Sequence, residues 1–326
     1  EITCRDWSSD VCSSDLDHDF RSEIPGMMHA CGHDGHTAMG LGVAKVLSGM
    51  REVLHGTVKL IFQPAEEDAQ SGGGAQYMIL DGVLKDPDVD VMVGMHLWPD
   101  LDLGTVGTKP GALMAGSDPF IIKIQGKGGH ASMPHTTIDP VLAGSHIVTA
   151  LQSIVSRNID PFAQAVVTVG VFRGGTRYNV IPETATIEGT VRTFDETVRL
   201  QVRDRVIAIA EKTAEAFGAK AEVDYRLTYP PLVNDPGVYE SVKAGIRDIL
   251  GPEHYAEVPR PAPGGEDFAF FAKSVPAAFM FLGYRKPGQT PVQPHNPHYD
   301  FDESALGVGV RVFLRCALDL GKGGAV

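Results

Sequence analysis

The stretch Asp90-Val-Met-Val-Gly-Met-His96 is a short apolar run of the kind that forms a strand buried on both faces. Similar runs occupy residues 56–62 and 277–282. Residues 36–47 place apolar side chains at helical spacing without a proline, and a final helix is predicted over residues 303–320. Short apolar strands that alternate with helices predict an α/β domain, three-layered (α-β-α), with a mostly parallel sheet.

A second pattern occupies residues 113–226. Strands are predicted at residues 119–124, 165–172, 185–193 and 221–227, and helices at residues 139–155 and 197–217. This β-α-β-β-α-β order is that of a ferredoxin-like split unit. The sequence therefore predicts a discontinuous α/β domain, residues 17–112 and 227–326, interrupted by an inserted ferredoxin-like α+β domain of residues 113–226.

Composition excludes several classes of protein. The 326 residues include 28 basic and 41 acidic side chains, a net charge of −13 with histidine neutral. This acidic balance argues against nucleic acid and anionic membrane surfaces as partners. No apolar run approaches the roughly 18 residues that a membrane span needs. The four cysteines are too few and too scattered for a disulfide framework, so we expect an intracellular protein, which we assign to the cytoplasm of a bacterium.

The first sixteen residues, EITCRDWSSDVCSSDL, differ from the rest of the chain. They show neither helical nor strand periodicity, and they lack the organisation of a signal peptide. The stretch from Cys4 to Leu16 resembles the translation of a sequencing adapter fused to a gene fragment. We therefore expect residues 1–16 to be non-native and disordered, assign no function to Cys4 and Cys12, and expect the native N terminus to be missing.

The segment Met28-His-Ala-Cys-Gly-His-Asp-Gly-His36 is rich in metal-binding side chains. Cys31 and His33 lie two residues apart, just ahead of a predicted helix, where a loop can aim both at one point. Thiolate and imidazole suit zinc, or manganese or cobalt with added oxygen ligands. A Cys-x-His pair alone is more often a buried cysteine beside a surface histidine. Three histidines and a cysteine within eight residues favour a metal site.

Further donors follow the predicted strands. Glu66 and Glu67 come directly after the run at residues 56–62, at the sheet edge where open α/β sheets bind ligands. Adjacent carboxylates there cannot point the same way, so one can bind metal while the other faces the reacting water. His96 would emerge at the same edge, although a lone histidine after an apolar run is more often a core residue. With the histidines of residues 294–300, these donors suffice for two metal ions about 3.5–4 Å apart.

Seven motifs connect the chain to a known family, and they occur in order over residues 17–326. They are PGMMHACGHDGHTAMGLG, QPAEE, GMHLWP, GKGGHASMPH, YNVIPETATIEGTVRTF, GGEDFAFF and HNPHYDFDE. On these motifs the chain resembles the metallo-aminoacylase and carboxypeptidase family, in the branch that contains hippurate hydrolases and indole-acetyl-amino-acid hydrolases. The resemblance implies a metal-dependent amidohydrolase that splits N-acyl amino acids, such as aromatic acyl-glycines, into a carboxylic acid and a free amino acid.

The resemblance also implies roles for particular residues. The family's metal ligands fall on Cys31, His33, Glu67, His96 and His295, with Cys31 bridging two divalent ions per chain, manganese, zinc or cobalt. Glu66 matches the general base, His130 the residue that polarises the scissile carbonyl, Asn179 and Arg192 the pair that holds the substrate carboxylate, and Gly265 and Glu266 a substrate-facing loop. His36 and His298 are expected behind the ligands or at the surface.

Two other interpretations of the chain stay open. It could be a dipeptidase or carboxypeptidase of the same family, because acyl-pocket residues carry no motif. It could also be a metal-binding fragment with impaired turnover, because full-length members of the family carry an upstream Asp-Met-Asp-Ala-Leu-Pro type segment. The similar Asp17-His18-Asp19 lies too close to Cys31 to be that segment. The intact Glu66 favours the enzyme. The inserted domain is expected to act as a lid and to form a homodimer or higher homo-oligomer through an exposed strand.

Overall fold

The structure is a computed structural model that describes residues 22–24 and 27–322, so the expectations for residues 1–16 lie outside the described residues. Its helices are α1 (His33–Ser48), α2 (Ala75–Leu80), α3 (Pro140–Leu151), α4 (Glu196–Ala216), α5 (Pro236–Leu250), α6 (Phe268–Ser274) and α7 (Ser304–Leu320). Its strands are β1 (Met92–Asp102), β2 (Val106–Thr108), β3 (Gly111–Met114), β4 (Gly116–Gln125), β5 (Gly129–His130), β6 (Ala165–Gly174), β7 (Val180–Ile181), β8 (Thr184–Thr193), β9 (Lys220–Tyr225), β10 (Leu232–Asn234), β11 (Tyr255–Glu257) and β12 (Ala277–Arg285). Within the described ranges, no helix combines the length and apolar character that crossing a membrane requires.

The chain divides into two compact units. Of the described residues, unit 1 comprises those up to Leu113 together with residues 232–261 and 267–322, and unit 2 comprises residues 114–231 and 262–266. The second boundary lies a few residues beyond the predicted one at 226/227. The short segment 262–266 belongs to unit 2, although it follows in sequence a long stretch of unit 1.

The principal sheet of unit 1 has the strand order β1-β12-β2-β11. Strands β1 and β12 are parallel, with His96 opposite Phe281, and β11 is parallel to β2. Strand β2 runs antiparallel to β12, so the predicted mostly parallel sheet consists of two parallel pairs joined by one antiparallel pair. Side chains from α1, α5 and α7 form one core with this sheet, and Met39, Val242 and Val312 are each almost fully buried there.

The run at residues 56–62, predicted as a strand, forms no strand in the described part of the chain. Val58, Leu60 and Phe62 are exposed, and the Lys59 ammonium donates to three backbone carbonyls between residues 83 and 87. A strand exists only within a hydrogen-bonded ladder, and a pattern of apolar residues does not report whether a ladder partner is present. The prediction was therefore wrong for these residues.

Unit 2 contains the β-α-β-β-α-β order that the sequence predicts. Its elements are β4, α3, β6, β8, α4 and β9, and its antiparallel sheet has the order β6-β8-β4-β9. The Asp139 carboxylate caps α3 by accepting hydrogen bonds from the backbone N–H groups of Val141 and Leu142. Buried side chains of both helices and the sheet form a single core around Ile122 and Ile147.

A buried ion pair lies within unit 2. The Arg199 guanidinium donates to both carboxylate oxygens of Asp118, with N–O distances of 2.6 and 2.8 Å. The Thr228 backbone N–H donates to the same carboxylate at 3.0 Å. Arg199 and Asp118 are 3% and 1% exposed, so water cannot replace either partner without local opening.

Asp118→Ala should lower the free energy of unfolding of the full chain by about 3–5 kcal/mol, because it removes the buried partner of the Arg199 charge and leaves the more exposed Glu196 carboxylate at 3.2 Å. Urea denaturation measures this change. Asp224→Ala serves as the matched control, since it breaks a 2.7 Å pair with Arg226 in which both side chains are about half exposed. We expect a much smaller change there. Equal losses in the two variants would contradict the role given to the buried pair.

Candidate metal centre

Cys31 and His33 lie on either side of Gly32, immediately before and at the start of α1. Gly32 has a φ of +77°, and a Cβ there would lie 2.7 Å from the Tyr299 hydroxyl and 2.9 Å from Leu97 Cδ1. Any other residue would therefore combine an unfavourable backbone conformation with a steric clash. Glycine lets the chain turn between the two donors while it packs against β1.

Two other donor segments contain residues in the left-handed region. Ala65, which precedes Glu66, has a φ of +57°, and His295 has a φ of +63°. The His295 backbone N–H donates to the Ala30 carbonyl at 2.7 Å, which joins the C-terminal donor segment to the loop that carries Cys31. A non-glycine residue held in this region costs of order 1–3 kcal/mol, and such residues concentrate at functional sites.

The predicted metal-ligating side chains converge in unit 1. Three overlapping groups have ligand atoms within 4.8 Å of one another: Cys31 with His33 and His96, Cys31 with Glu67 and His295, and His33 with Glu66 and Glu67. The Cys31 Sγ lies 3.4 Å from His96 Nε2. The Glu67 Oε1 lies 3.2 Å from His295 Nε2 and 3.8 Å from His33 Nε2. All five predicted ligands are therefore brought together, with Cys31 shared by two groups.

Electrostatics keep the imidazoles in the form that binds cations. Burial, followed by the neighbouring imidazoles of His96, His29 and His295, lowers the pKa of His33 to about 2. Burial also lowers the pKa of His96. Both rings are thus neutral at pH 7 and offer a nitrogen lone pair. A thiol, neutral imidazoles and carboxylates form a donor set that fits zinc, manganese or cobalt.

Backbone contacts orient the His96 ring. Its Nδ1 lies 2.6 Å from the Leu97 carbonyl oxygen, which can only accept, so Nδ1 carries the proton and Nε2 is left to face Cys31. The Leu97 N–H in turn donates to His36 Nε2 at 2.9 Å. His36 therefore lies behind the donors, one of the two places expected for it, and holds the strand at the His96 position. Strand β1 continues to Asp102, so His96 lies inside the strand rather than at its end.

Asp267 is a site residue that the sequence patterns did not predict. This residue is fully buried, and its carboxylate accepts hydrogen bonds from the Ala75 backbone N–H at 2.9 Å and from the Gln63 side chain. It thereby spans the ends of the loop that carries Glu66 and Glu67. Burial raises the pKa of Asp267 to about 7, against the opposing effect of the hydrogen bonds. The signal available in the sequence was an acidic residue directly before the apolar run Phe-Ala-Phe-Phe.

In unit 2, the structure brings two sets of predicted residues together. His130 on β5 pairs with Val180 on β7, and the Ala131 N–H donates to the Asn179 carbonyl at 3.1 Å, so His130 and Asn179 are neighbours. On β8, the Arg192 Nε donates to the carbonyl of Pro263 at 3.2 Å, in the segment that continues to Gly265 and Glu266. Glu266 is itself buried.

The chain thus has an α/β unit in which thiol, imidazole and carboxylate donors converge, and a ferredoxin-like unit inserted into it. These features define a class of metal-binding α/β proteins with an inserted domain. The chain matches Peptidase family M20/M25/M40 over residues 9–319 and belongs to that family. Relatives that the chain matches are named as a hydrolase, a deacetylase and an amidohydrolase, and the chain is accordingly a hydrolase of this family.

Two relatives illustrate the match. The chain is 42% identical over 307 residues to IAA-amino acid hydrolase ILR1-like 4 of Arabidopsis thaliana, covering 93% of this chain and 68% of the relative. It is 43% identical over 291 residues to N-acetyl-L-cysteine deacetylase of Bacillus subtilis (strain 168), covering 88% of this chain and 66% of the relative. The chain thus spans about two thirds of the length of these relatives.

Among solved structures, the chain resembles the YXEP protein of Bacillus subtilis, described as a dinuclear metal binding peptidase from the M20 family. The TM-score is 0.78 with 36% sequence identity, and the match covers 96% of this chain and 78% of that one. This likeness supports the binding of divalent metal ions by the chain.

Cys31→Ala should weaken the binding of Zn²⁺ or Mn²⁺, because Cys31 belongs to two donor groups. Loss of a residue that only hydrogen-bonds a metal ligand typically weakens binding by roughly 10–100-fold, and we expect a larger effect here. Competition with a chromophoric chelator measures the affinity of the full chain. His254→Ala is the control, since this histidine lies in the same unit and contacts the Gly104 carbonyl instead. Affinity for both ions equal to that of the unsubstituted protein would contradict the assignment.

Proposed function

We propose that the chain is a dinuclear-metal-dependent amidohydrolase that cleaves N-acyl amino acids, including hippurate-like substrates, to a carboxylic acid and a free amino acid. The observation that carries this proposal is the pair Glu66 and Glu67. Glu67 lies among the thiol and imidazole donors, while the Glu66 carboxylate lies 3.9 Å from His33 Nε2 beside them. A site that only stored metal would need no second carboxylate there.

Five residues would hold the two ions in this proposal: Cys31, His33, Glu67, His96 and His295. The ions, manganese, zinc or cobalt, would lower the pKa of water and stabilise negative charge on a substrate oxygen. The neutral state of His33 and His96 supports this assignment, because no proton has to leave either ring before it binds a cation.

Glu66 is assigned the role of general base. The left-handed conformation of Ala65 sets the direction in which the Glu66 and Glu67 side chains leave the backbone. Glu67 is then assigned to the metal ions and Glu66 to the reacting water. Glu66 accepts the proton of the attacking water and later delivers it to the leaving amine, as one carboxylate often serves both steps.

Residues of unit 2 are assigned to the substrate. His130 donates a hydrogen bond to the scissile carbonyl, a contribution worth roughly 3–4 kcal/mol per donor in other hydrolases. Asn179 and Arg192 hold the carboxylate of the amino acid, for which the forked guanidinium is better suited than an ammonium. Gly265 and Glu266 form the substrate-facing loop. These assignments rest on the motifs and on the local contacts within unit 2.

We also propose a homodimer that forms through unit 2. Strands β6 and β9 are the edges of its sheet. Strand β9 exposes Lys220, Glu222 and Asp224, charges that discourage pairing, whereas β6 exposes Val166 and Phe172. An exposed strand of this kind can pair with its own copy across a two-fold axis. Sedimentation velocity measures the resulting association.

Glu66→Gln should reduce kcat for N-acetyl and N-benzoyl amino acids by at least about 100-fold, because an amide cannot accept the water proton. Metal content, measured by elemental analysis after desalting, should remain that of the unsubstituted protein. Glu52→Gln, at an exposed position of the same unit, is the control. An active Glu66→Gln protein would refute the base assignment. Dipeptides assayed on the same preparation distinguish the proposed activity from that of a dipeptidase.

Arg192→Ala should raise KM for free-carboxylate substrates by roughly 10–100-fold, since the loss of a charge-assisted hydrogen bond costs about 1.5–3 kcal/mol. Steady-state kinetics with an N-acyl amino acid and with its methyl ester measure the difference. The ester should lose far less, because it carries no negative charge for Arg192 to bind. Arg173→Ala, at an exposed position on β6, controls for the loss of a positive charge. Parallel losses for acid and ester would contradict the role of Arg192.

A further inference from the structure

His130 is held by a glycine-rich loop and a tight turn of unit 2. A Cβ at Gly129 would lie 2.6 Å from Thr137 Cγ2, so any side chain there would require Thr137 to shift. After β5, the Met133 N–H donates to the His130 carbonyl at 2.8 Å and closes a turn over residues 130–133. The backbone on both sides of His130 is therefore constrained, while its side chain is exposed.

Ser132, inside this turn, contacts the His130 ring twice. Its backbone N–H donates to His130 Nδ1 at 3.1 Å, and its hydroxyl lies 2.7 Å from the same nitrogen. A backbone N–H can only donate, so Nδ1 must accept and cannot carry a proton. The hydroxyl, facing a nitrogen that accepts, donates as well. In a neutral imidazole the proton then resides on Nε2, the nitrogen on the far side of the ring from Ser132.

We propose that Ser132 is a positioning residue that holds His130 in the Nε2–H tautomer, so that Nε2–H is available to a substrate oxygen. This inference rests on the proposed function, in which His130 polarises the scissile carbonyl. In the other tautomer Nε2 would present a lone pair to an oxygen that gains negative charge, which repels it. The tautomer thus decides whether His130 assists or opposes the reaction.

Nitrogen NMR of the full chain labelled with ¹⁵N-histidine tests the tautomer directly, at a pH where the imidazole is neutral. His130→Asn identifies the His130 signals by their loss. We expect Nδ1 to give the shift of an unprotonated ring nitrogen and Nε2 that of a protonated one. A proton on Nδ1 would overturn the proposal.

Ser132→Ala removes the hydroxyl and keeps the backbone N–H. We expect the share of the Nδ1–H tautomer to rise and kcat to fall roughly three- to tenfold with little change in KM, the loss of one neutral hydrogen bond. Ser132→Thr, which restores a hydroxyl, should recover both values. Ser145→Ala removes an exposed hydroxyl of the same unit that bonds only its own helix, and should change neither. An unchanged tautomer ratio and kcat in Ser132→Ala would overturn the role of the Ser132 hydroxyl.

The two measurements separate this inference from the proposed function. The NMR readout needs no turnover, so an Nε2–H tautomer in a protein without amide-hydrolysing activity would refute the activity and leave the positioning by Ser132 supported. An active protein with the proton on Nδ1 would support the activity and overturn the positioning.

Discussion

Gly32 lies between Leu97 of β1 and Tyr299 with a φ of +77°, and a Cβ there would come within 2.9 Å of both side chains. The start of α1 can approach the sheet only because this position lacks a Cβ, and Cys31 and His33 are carried along with that approach. The His96 ring meets Cys31 from the sheet side. If a side chain at Gly32 displaced the start of α1, Cys31 would move away from His96 on β1. Cys31 and His33 would move together, because both lie at the start of α1.

The charges of the side chains around the metal-ligating atoms favour the binding of a cation. Burial leaves His33 and His96 without positive charge, while Glu66 and Glu67 add negative charge nearby. Carboxylates packed together repel one another, and a bound cation relieves that repulsion. Any ligand that binds the folded chain in preference to the unfolded chain stabilises the fold, so metal binding and folding are linked in this protein.

Much of this arrangement could be predicted from patterns in the sequence, for identifiable reasons. The two helices and four sheet strands predicted for unit 2 follow from local periodicity and from capping residues such as Asp139, which act over a few residues. The run at residues 56–62 was misjudged because a strand depends on a partner elsewhere in the chain. Asp267 was missed for a related reason: its importance lies in hydrogen bonds to Gln63 and Ala75, distant in sequence, which no local pattern records. The left-handed conformation of His295 is likewise imposed by tertiary contacts.

The hydrogen bond from the His295 N–H to the Ala30 carbonyl joins residues that are far apart in sequence. It can therefore form only late in synthesis, after residue 295 has been made. All strands of the unit 2 sheet lie within residues 116–225, so the contacts that define that sheet are available before residue 295 has been synthesised. The donor set cannot be closed until residue 295 has been synthesised and has left the ribosome. A metal site that uses His295 can therefore form only after the residues of the unit 2 sheet have been made.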